Sequence, residues 1–327
     1  MPTSLSDPSR RGFMAGAVAL AGAGVTGPAA AAEPFFRPTG LPIGIQLYTL
    51  GPDAAKDLDA TLAAVAAIGY RAVESAGFLG RKPAEFRAAL DRAGLKCTSA
   101  HVQARAMGPD GGFDGDLERL AEGLATVGAT HAVMPSPRIP DRLAGPPAAG
   151  EGLGDFYRRV TGALTLSDWQ MNAAFLNEKG AALKKAGIKV GYHNHNFEFR
   201  PLPVKGGDET NGMAILLKET DPELVTFEID VGWVSAAGID PVALMQQHKG
   251  RFTMMHVKDM KASTRPNVEL KMDPTEIGSG AIDWKRLLPA SHAAGVRDFF
   301  VEQEPPFERP RIEAAKISHD FLAGVTA

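Results

Sequence analysis

Five times along this chain, a helix-period segment ends in an apolar residue followed by glycine, and an apolar run begins within three residues. The pairs are Ile68-Gly69, Ala93-Gly94, Val127-Gly128, Ala186-Gly187 and Ala294-Gly295. Glycine in that place supplies the left-handed residue that ends a helix. The recurring unit is therefore helix, cap, parallel strand. Helix-period segments include "DLDATLAAVAAIG", "AEFRAALDRAG", "DLERLAEGLATVG", "NEKGAALKKAG" and "PVALMQQHKG". Strand candidates cover 43–49, 72–76, 96–102, 131–136, 189–195, 224–230, 252–258 and 298–304. Most read as continuous apolar runs, as strands buried on both faces do. Eight such units in 327 residues predict an α/β fold, a (β/α)8 TIM barrel. An open doubly wound sheet is the alternative. It would carry a Gly-rich phosphate loop after its first strand, where this chain reads "LYTLGPDAAKD".

The first 32 residues are expected to stand outside that fold. "SRRGFM" places twin arginines before an Ala/Gly-rich, mildly apolar run from Ala15 to Val25, and "GPAAAAEP" then offers small residues for cleavage after Ala32. This pattern resembles a twin-arginine (Tat) signal peptide; a plain Ala-rich leader is the other reading. The expected organisation is a leader over 1–32 and one barrel over 33–327, exported by the Tat machinery to the periplasm or beyond. The body has no run of eighteen apolar residues, so no membrane span is expected in it. Net charge is -3 with no basic cluster, which argues against a nucleic-acid partner. Cys97 is the single cysteine, so no intramolecular disulfide can form, and it reads as a small core residue. A homo-oligomer is compatible with the sequence.

Polar residues fall where this fold does its chemistry. Gln46 ends the first strand, Glu74 the second, His101 the third, and His193 and His195 the fifth. Asp230 ends the sixth, His256 and Lys258 the seventh, Glu302 and Glu304 the eighth. Strand ends of a barrel converge on one mouth, so these residues are expected to share a pocket. Any one of them alone reads as a hydrogen-bonded structural residue. Imidazoles with carboxylates and no thiolate suit one divalent ion such as Mn, Zn, Co or Fe. Two long connections, 136–167 and 260–281, leave from the same face; they read as lids or as surface insertions.

"YHNHNFEF", "FEIDVGWVSAAG", "MMHVKDM" and "VEQEPP" together resemble the sugar phosphate isomerase/epimerase family of xylose isomerase-like barrels. The resemblance covers essentially residues 40–325. It implies one divalent metal held by a strand-five residue, Asp230, His256 and Glu302. The family's epimerases place a Glu on strand five, where this chain has "HNHNFE". His193, its neighbour His195, or Glu198 reaching back could take that place. A His there would disfavour symmetric two-carboxylate epimerisation.

The implied activity is a sugar isomerase or epimerase working through an enediolate. Glu302 or Glu198 would take the proton, and Lys258 or His101 would serve the developing oxyanion. Glu74, Gln46, His195 and Trp233 are candidate substrate contacts for a carbohydrate; Glu74 and Trp233 read equally as structural. The asparagines of "YHNHNFEF" would support the ligands or the substrate. The alternative enzyme is a 3-keto-glycoside lyase on the same metal site. A sugar-binding protein without catalysis is a third reading. A repair endonuclease of the same superfamily is disfavoured, because "DVGW" lacks a further His.

Overall fold

A computed structural model describes residues 33–106, 111–204 and 209–327. The leader expected over 1–32 lies outside the described residues. Eight parallel strands close into a barrel: β1 Ile43–Gln46, β2 Ala72–Ala76, β3 Lys96–His101, β4 His131–Met134, β5 Lys189–His193, β6 Val225–Asp230, β7 Phe252–Val257 and β8 Asp298–Val301. β1 pairs with β8 through Gly44 opposite Phe300, which closes the ring.

Helices alternate with the strands on the outside: α1 Leu58–Ile68, α2 Pro83–Ala93, α3 Leu117–Val127, α4 Leu166–Lys184, α5 Gly212–Glu219, α6 Pro241–Gln247, α7 Trp284–Ala294 and α8 Arg311–Gly324. Their starts follow side-chain chemistry. Asp57, Asp116 and Asp283 each accept a hydrogen bond from a first-turn amide, and Thr165 forms a reciprocal box with Asp168. The five glycines of the recurring beat take φ values of 130°, 68°, 91°, 74° and 125°. Among the described residues, no helix is long and apolar enough to cross a membrane.

Several expected strands run past the hydrogen-bonded ladder. β1 stops at Gln46, not Thr49, because the Gln46 side chain accepts from the Tyr48 amide and starts a 3-10 turn over Leu47–Leu50. β5 stops at His193, and β8 at Val301. The polar residues beyond them therefore stand at the open end of the barrel.

The interior changes character from bottom to top. Strand alternation puts Gly191, His193 and His195 on one line, Met254, His256 and Lys258 on the next, and Phe300, Glu302 and Glu304 on a third. The lowest members make an apolar floor. A Cβ on Gly44 would stand 2.6 Å from the Phe300 ring, and one on Gly191 would stand 2.9 Å from Val133 and 3.1 Å from Met254. Only glycine leaves room for those large side chains.

The two long connections differ. Ser136 and Tyr157, from 136–167, line the cavity at the mouth. The 260–281 segment does not line it and is tied down instead. Asn196 Nδ2 donates to Asn267 O at 3.0 Å and the Leu270 amide donates to Asn196 Oδ1 at 3.0 Å. The Gly278 amide and Trp284 Nε1 donate to the buried Asp259 carboxylate at 2.9 and 2.8 Å.

Candidate active site and metal centre

Above the floor lies a polar layer. Glu74 on β2 is fully buried, and its oxygens are fully engaged. Gln46 Nε2 donates to Glu74 Oε1 at 2.6 Å, and Ser99 Oγ donates to Oε2. His256 Nε2 lies 2.7 Å and His101 Nε2 3.1 Å from Glu74 Oε1. Glu228 on β6 is equally buried, and its Oε2 lies 3.1 Å from a nitrogen of each of His101, His193 and His256. A TIM barrel is ordinarily filled by branched apolar residues. Buried carboxylates persist only when paired or hydrogen-bonded.

One step nearer the mouth stand Asp230, Lys258, Glu302 and Glu304. Lys258 Nζ lies 2.9 Å from Asp230 Oδ2, 2.7 Å from Glu302 Oε2 and 2.7 Å from Glu304 Oε1. His256 Nδ1 lies 3.0 Å from Glu302 Oε2. Asp230 Oδ1 accepts from the Trp233 amide at 2.8 Å, and the Asp230 amide donates to Asn194 Oδ1 at 3.1 Å. Asp230 Oδ2 is close to the ammonium but forms no hydrogen bond.

Electrostatics set the protonation pattern. Burial alone would raise the Glu302 carboxyl, but the Lys258 ammonium and then His256 hold it well below the usual carboxylate range. Burial would likewise lower Lys258; Asp230, Glu302 and Glu304 instead keep it an ammonium, well above its usual value. Against the lowering effect of burial, the Glu74 charge and the contact with Glu228 push His101 up to about 9. His195 goes the other way, to about 3, through burial and the nearby Lys258 charge. Burial raises Asp230 to about 6, opposed by Lys258.

A cavity of about 520 Å³ opens above this layer. His101, His193, His195, Glu302 and Glu304 form its polar end, and Phe78, Leu120 and Leu124 its apolar end. Tyr48, which the sequence reading did not single out, stands half-exposed at the rim near Glu302 and Glu304.

Of the candidates read from sequence, His193, Asp230, His256 and Glu302 converge: one ligand atom from each lies within 4.8 Å of the others. Two imidazoles and two carboxylates suit a divalent ion of intermediate hardness, and Asp230 Oδ2 offers an acceptor without a hydrogen bond. These residues fit such a cation.

Other candidates stand elsewhere. Glu198 is not brought to the cavity wall: it is fully buried, accepting from Tyr192 Oη at 2.8 Å and from the His195 amide at 2.9 Å. It sits in a turn after β5, where strand alternation no longer governs direction. Gln46 and Glu74 point into the polar layer and hold each other; neither lines the cavity as a substrate contact would. Trp233 is buried behind the wall, its Nε1 donating to Glu304 Oε1 at 3.2 Å and its ring 5.2 Å from Lys258 Nζ. Lys258 is also fully buried and acts from behind the carboxylates. The asparagines serve backbone: Asn194 orients Asp230, and Asn196 ties down the 260–281 segment. Glu228 escaped the sequence reading although "FEID" places it on the same side as Asp230, two residues on.

Residues 62–324 match the xylose isomerase-like TIM barrel family. An inosose dehydratase of Geobacillus thermodenitrificans is 28% identical over 159 residues, 45% of this chain and 51% of its own. One of Lactiplantibacillus plantarum is 28% identical over 171 residues, 48% and 54% of the two chains. The chain thus spans about half the length of these curated relatives. Among solved structures, a sugar phosphate isomerase/epimerase of Parabacteroides distasonis superposes with a TM-score of 0.67 at 25% identity, covering 87% of this chain and 94% of that one.

Proposed function

Because this chain belongs to the xylose isomerase-like TIM barrel family, we propose that it is a divalent-metal-dependent enzyme acting on a sugar or sugar derivative. Its reaction takes a proton from the carbon beside a carbonyl. The observation that carries this reading is the Glu302 carboxylate, which faces the cavity beside His193, Asp230 and His256 and is kept ionised by the Lys258 ammonium. His193, Asp230, His256 and Glu302 would hold the cation. A bound divalent cation supplies Lewis acidity for the carbonyl and the neighbouring hydroxyl.

The chain's own groups do the rest. Glu302 accepts the α-proton while the C–H electron pair moves onto the carbonyl oxygen, giving an enediolate. Lys258, fixed behind Glu302 and Asp230, keeps the base ionised and lowers the cost of the developing charge. His101, raised to about 9, is a cavity-facing imidazolium that can return a proton. His195, neutral and at the cavity wall, can bind substrate hydroxyls.

Return of the proton to the adjacent carbon completes an isomerisation. Loss of a β-oxygen as water or alcohol, protonated by His101, completes an elimination. The elimination reading, with 3-keto-glycosides as substrates, draws support from two observations. The strand-five position facing Glu302 is His193, so a second opposing carboxylate is lacking there. The curated relatives bear the name inosose dehydratase. Export of the mature chain from Glu33 onward is part of the same proposal, and N-terminal sequencing of the secreted protein tests it.

The deciding experiment measures metal content of the wild type beside Asp230→Ala, then incubates both with ketoses and 3-keto-glycosides in D2O. We expect about one divalent ion per wild-type chain, lost in the variant. Deuterium in a ketose without release marks isomerisation; release of water or an aglycone marks elimination. Metal-free wild type, even after addition of divalent ions, with no exchange would leave a sugar-binding protein without catalysis.

A further inference from the structure

Two donor sets lie one above the other, and they share His193 and His256. They share them through opposite ring nitrogens. His193 turns Nδ1 to Glu228 Oε2 at 3.1 Å and Nε2 toward Asp230 Oδ2 at 3.9 Å. His256 turns Nε2 to Glu74 Oε1 at 2.7 Å and to Glu228 Oε2 at 3.1 Å. Its Nδ1 faces Glu302 Oε2 at 3.0 Å and Asp230 Oδ2 at 3.9 Å.

A neutral imidazole has one N–H and one lone pair, so each ring can serve a cation on one side only. Filling both sets would strip both ring protons from two histidines. The lower side is the one built to accept protons. Glu74 already receives Gln46 Nε2 and Ser99 Oγ, and is held as an acceptor for His256 Nε2–H. His101 and the shared His193 line the cavity, but of the carboxylates in the two sets only Glu302 of the upper one does; neither Glu74 nor Glu228 reaches it. An ion that handles substrate needs a coordination position open to it. With both N–H groups turned down, two lone pairs face the Asp230 and Glu302 carboxylates. The Lys258 ammonium touches both carboxylates but gives neither lone pair a donor, so a cation among the four completes the set.

We propose that Glu228, with Glu74 beside it, is a positioning residue of the metal centre: the pair fixes the ring protons of His193 and His256 downward, so that one cation binds above. The inference rests on the metal-dependent reading given above. It also explains why two carboxylates occupy a layer that apolar side chains ordinarily fill: carboxylate–histidine–metal relays orient ligands and raise their basicity.

The test uses the full chain and Co²⁺ as probe. Stoichiometry and dissociation constant are measured by competition with a chromophoric chelator, and the visible Co²⁺ bands are recorded. Wild type is compared with Glu228→Gln, Glu74→Gln and the floor variant Met254→Leu. Gln can donate as well as accept, so it releases the ring from its set tautomer. The expected result is one ion per chain in all four proteins. Affinity falls about 10–100-fold in each Gln variant with shifted bands, and both stay unchanged in Met254→Leu, which alters packing alone. Should Glu228→Gln fail to fold, Glu74→Gln carries the same test through His256. Wild-type affinity and bands in the Gln variants would overturn the positioning role alone. So would two ions per wild-type chain with one lost in Glu228→Gln, since Glu228 would then be a ligand. No ion in the wild type would overturn the metal-dependent reading itself.

Discussion

Lys258 Nζ lies 2.7 Å from Glu302 Oε2, and the lysine side chain is wholly enclosed. The contact joins a cation that never reaches the cavity to a carboxylate that lines it. Its consequence is a pH dependence. Lys258→Met removes the largest of the influences that hold the Glu302 carboxyl down, so Glu302 must gain its proton at higher pH. The acid limb of the kcat/KM profile, recorded at saturating divalent ion, should move to higher pH. The value at neutral pH should fall by about 10²-fold or more. An acid limb that stays in place in Lys258→Met would separate the two residues functionally.

Gly232 touches the same lysine from the helix that follows β6. A Cβ there would stand 2.8 Å from Lys258 Cγ and 3.0 Å from the Lys258 carbonyl oxygen. The second neighbour is backbone and cannot step aside cheaply. Gly232→Ala is therefore expected to cost about 1–3 kcal/mol through overpacking. It should also shift the acid limb in the direction of Lys258→Met, though less far. Urea unfolding and the pH profile check both halves; a stable variant with a wild-type profile would refute the close approach.

The barrel was legible because its signals are periodic. The capping glycines recur, and side chains alternate along β5 to β8, so the convergence of His193, Asp230, His256 and Glu302 could be read from spacing and resemblance together. What alternation cannot give is depth. Glu74 and Gln46 stand on the inward face as expected, yet they point down into the polar layer, where Glu74 holds the ring of His256 and Gln46 holds Glu74. Direction is lost once a strand ends. Glu198 lies five residues past His193, in a 3-10 turn, and turns back to Tyr192. Trp233 is carried behind the wall by the short helix Val231–Ala236. Glu228 carried a readable signal, but a glutamate inside a barrel looks too costly until the histidines that surround it are placed.

Asp259 is the buried anchor of the 260–281 segment. It accepts from the Met260 and Gly278 amides, both at 2.9 Å, and from Trp284 Nε1 at 2.8 Å. Asp259→Ala leaves the buried Trp284 Nε1–H without a partner, at about 1–3 kcal/mol, and releases the amides of half-buried Met260 and exposed Gly278 to water. We expect a loss of about 1–3 kcal/mol in urea unfolding and new proteolytic cuts between residues 260 and 281. A variant as stable and as protease-resistant as wild type would show that Asn196 and Arg200, which bind the same segment, suffice to hold it.

Glu198 makes a prediction about stability whose sign can be worked out. Burial pushes its carboxyl up to about 8, opposed by hydrogen bonds from the Tyr192 hydroxyl and the His195 amide. In the unfolded chain the group titrates near its ordinary value of 4.5. Between those values the folded protein holds a proton that the unfolded chain has lost. Stability from this group is therefore fully present below pH 4.5 and declines as pH rises through about 8. The slope is at most about 1.4 kcal/mol per pH unit. Glu198→Gln keeps the shape, with its carbonyl accepting from the His195 amide and its amide donating to the Tyr192 hydroxyl oxygen, and it cannot ionise. The variant should gain on the wild type steadily from pH 5 to pH 8 in urea unfolding of the metal-free proteins. A difference that stays flat across that range would mean that Glu198 is already ionised in the fold at neutral pH, its two donors outweighing its burial.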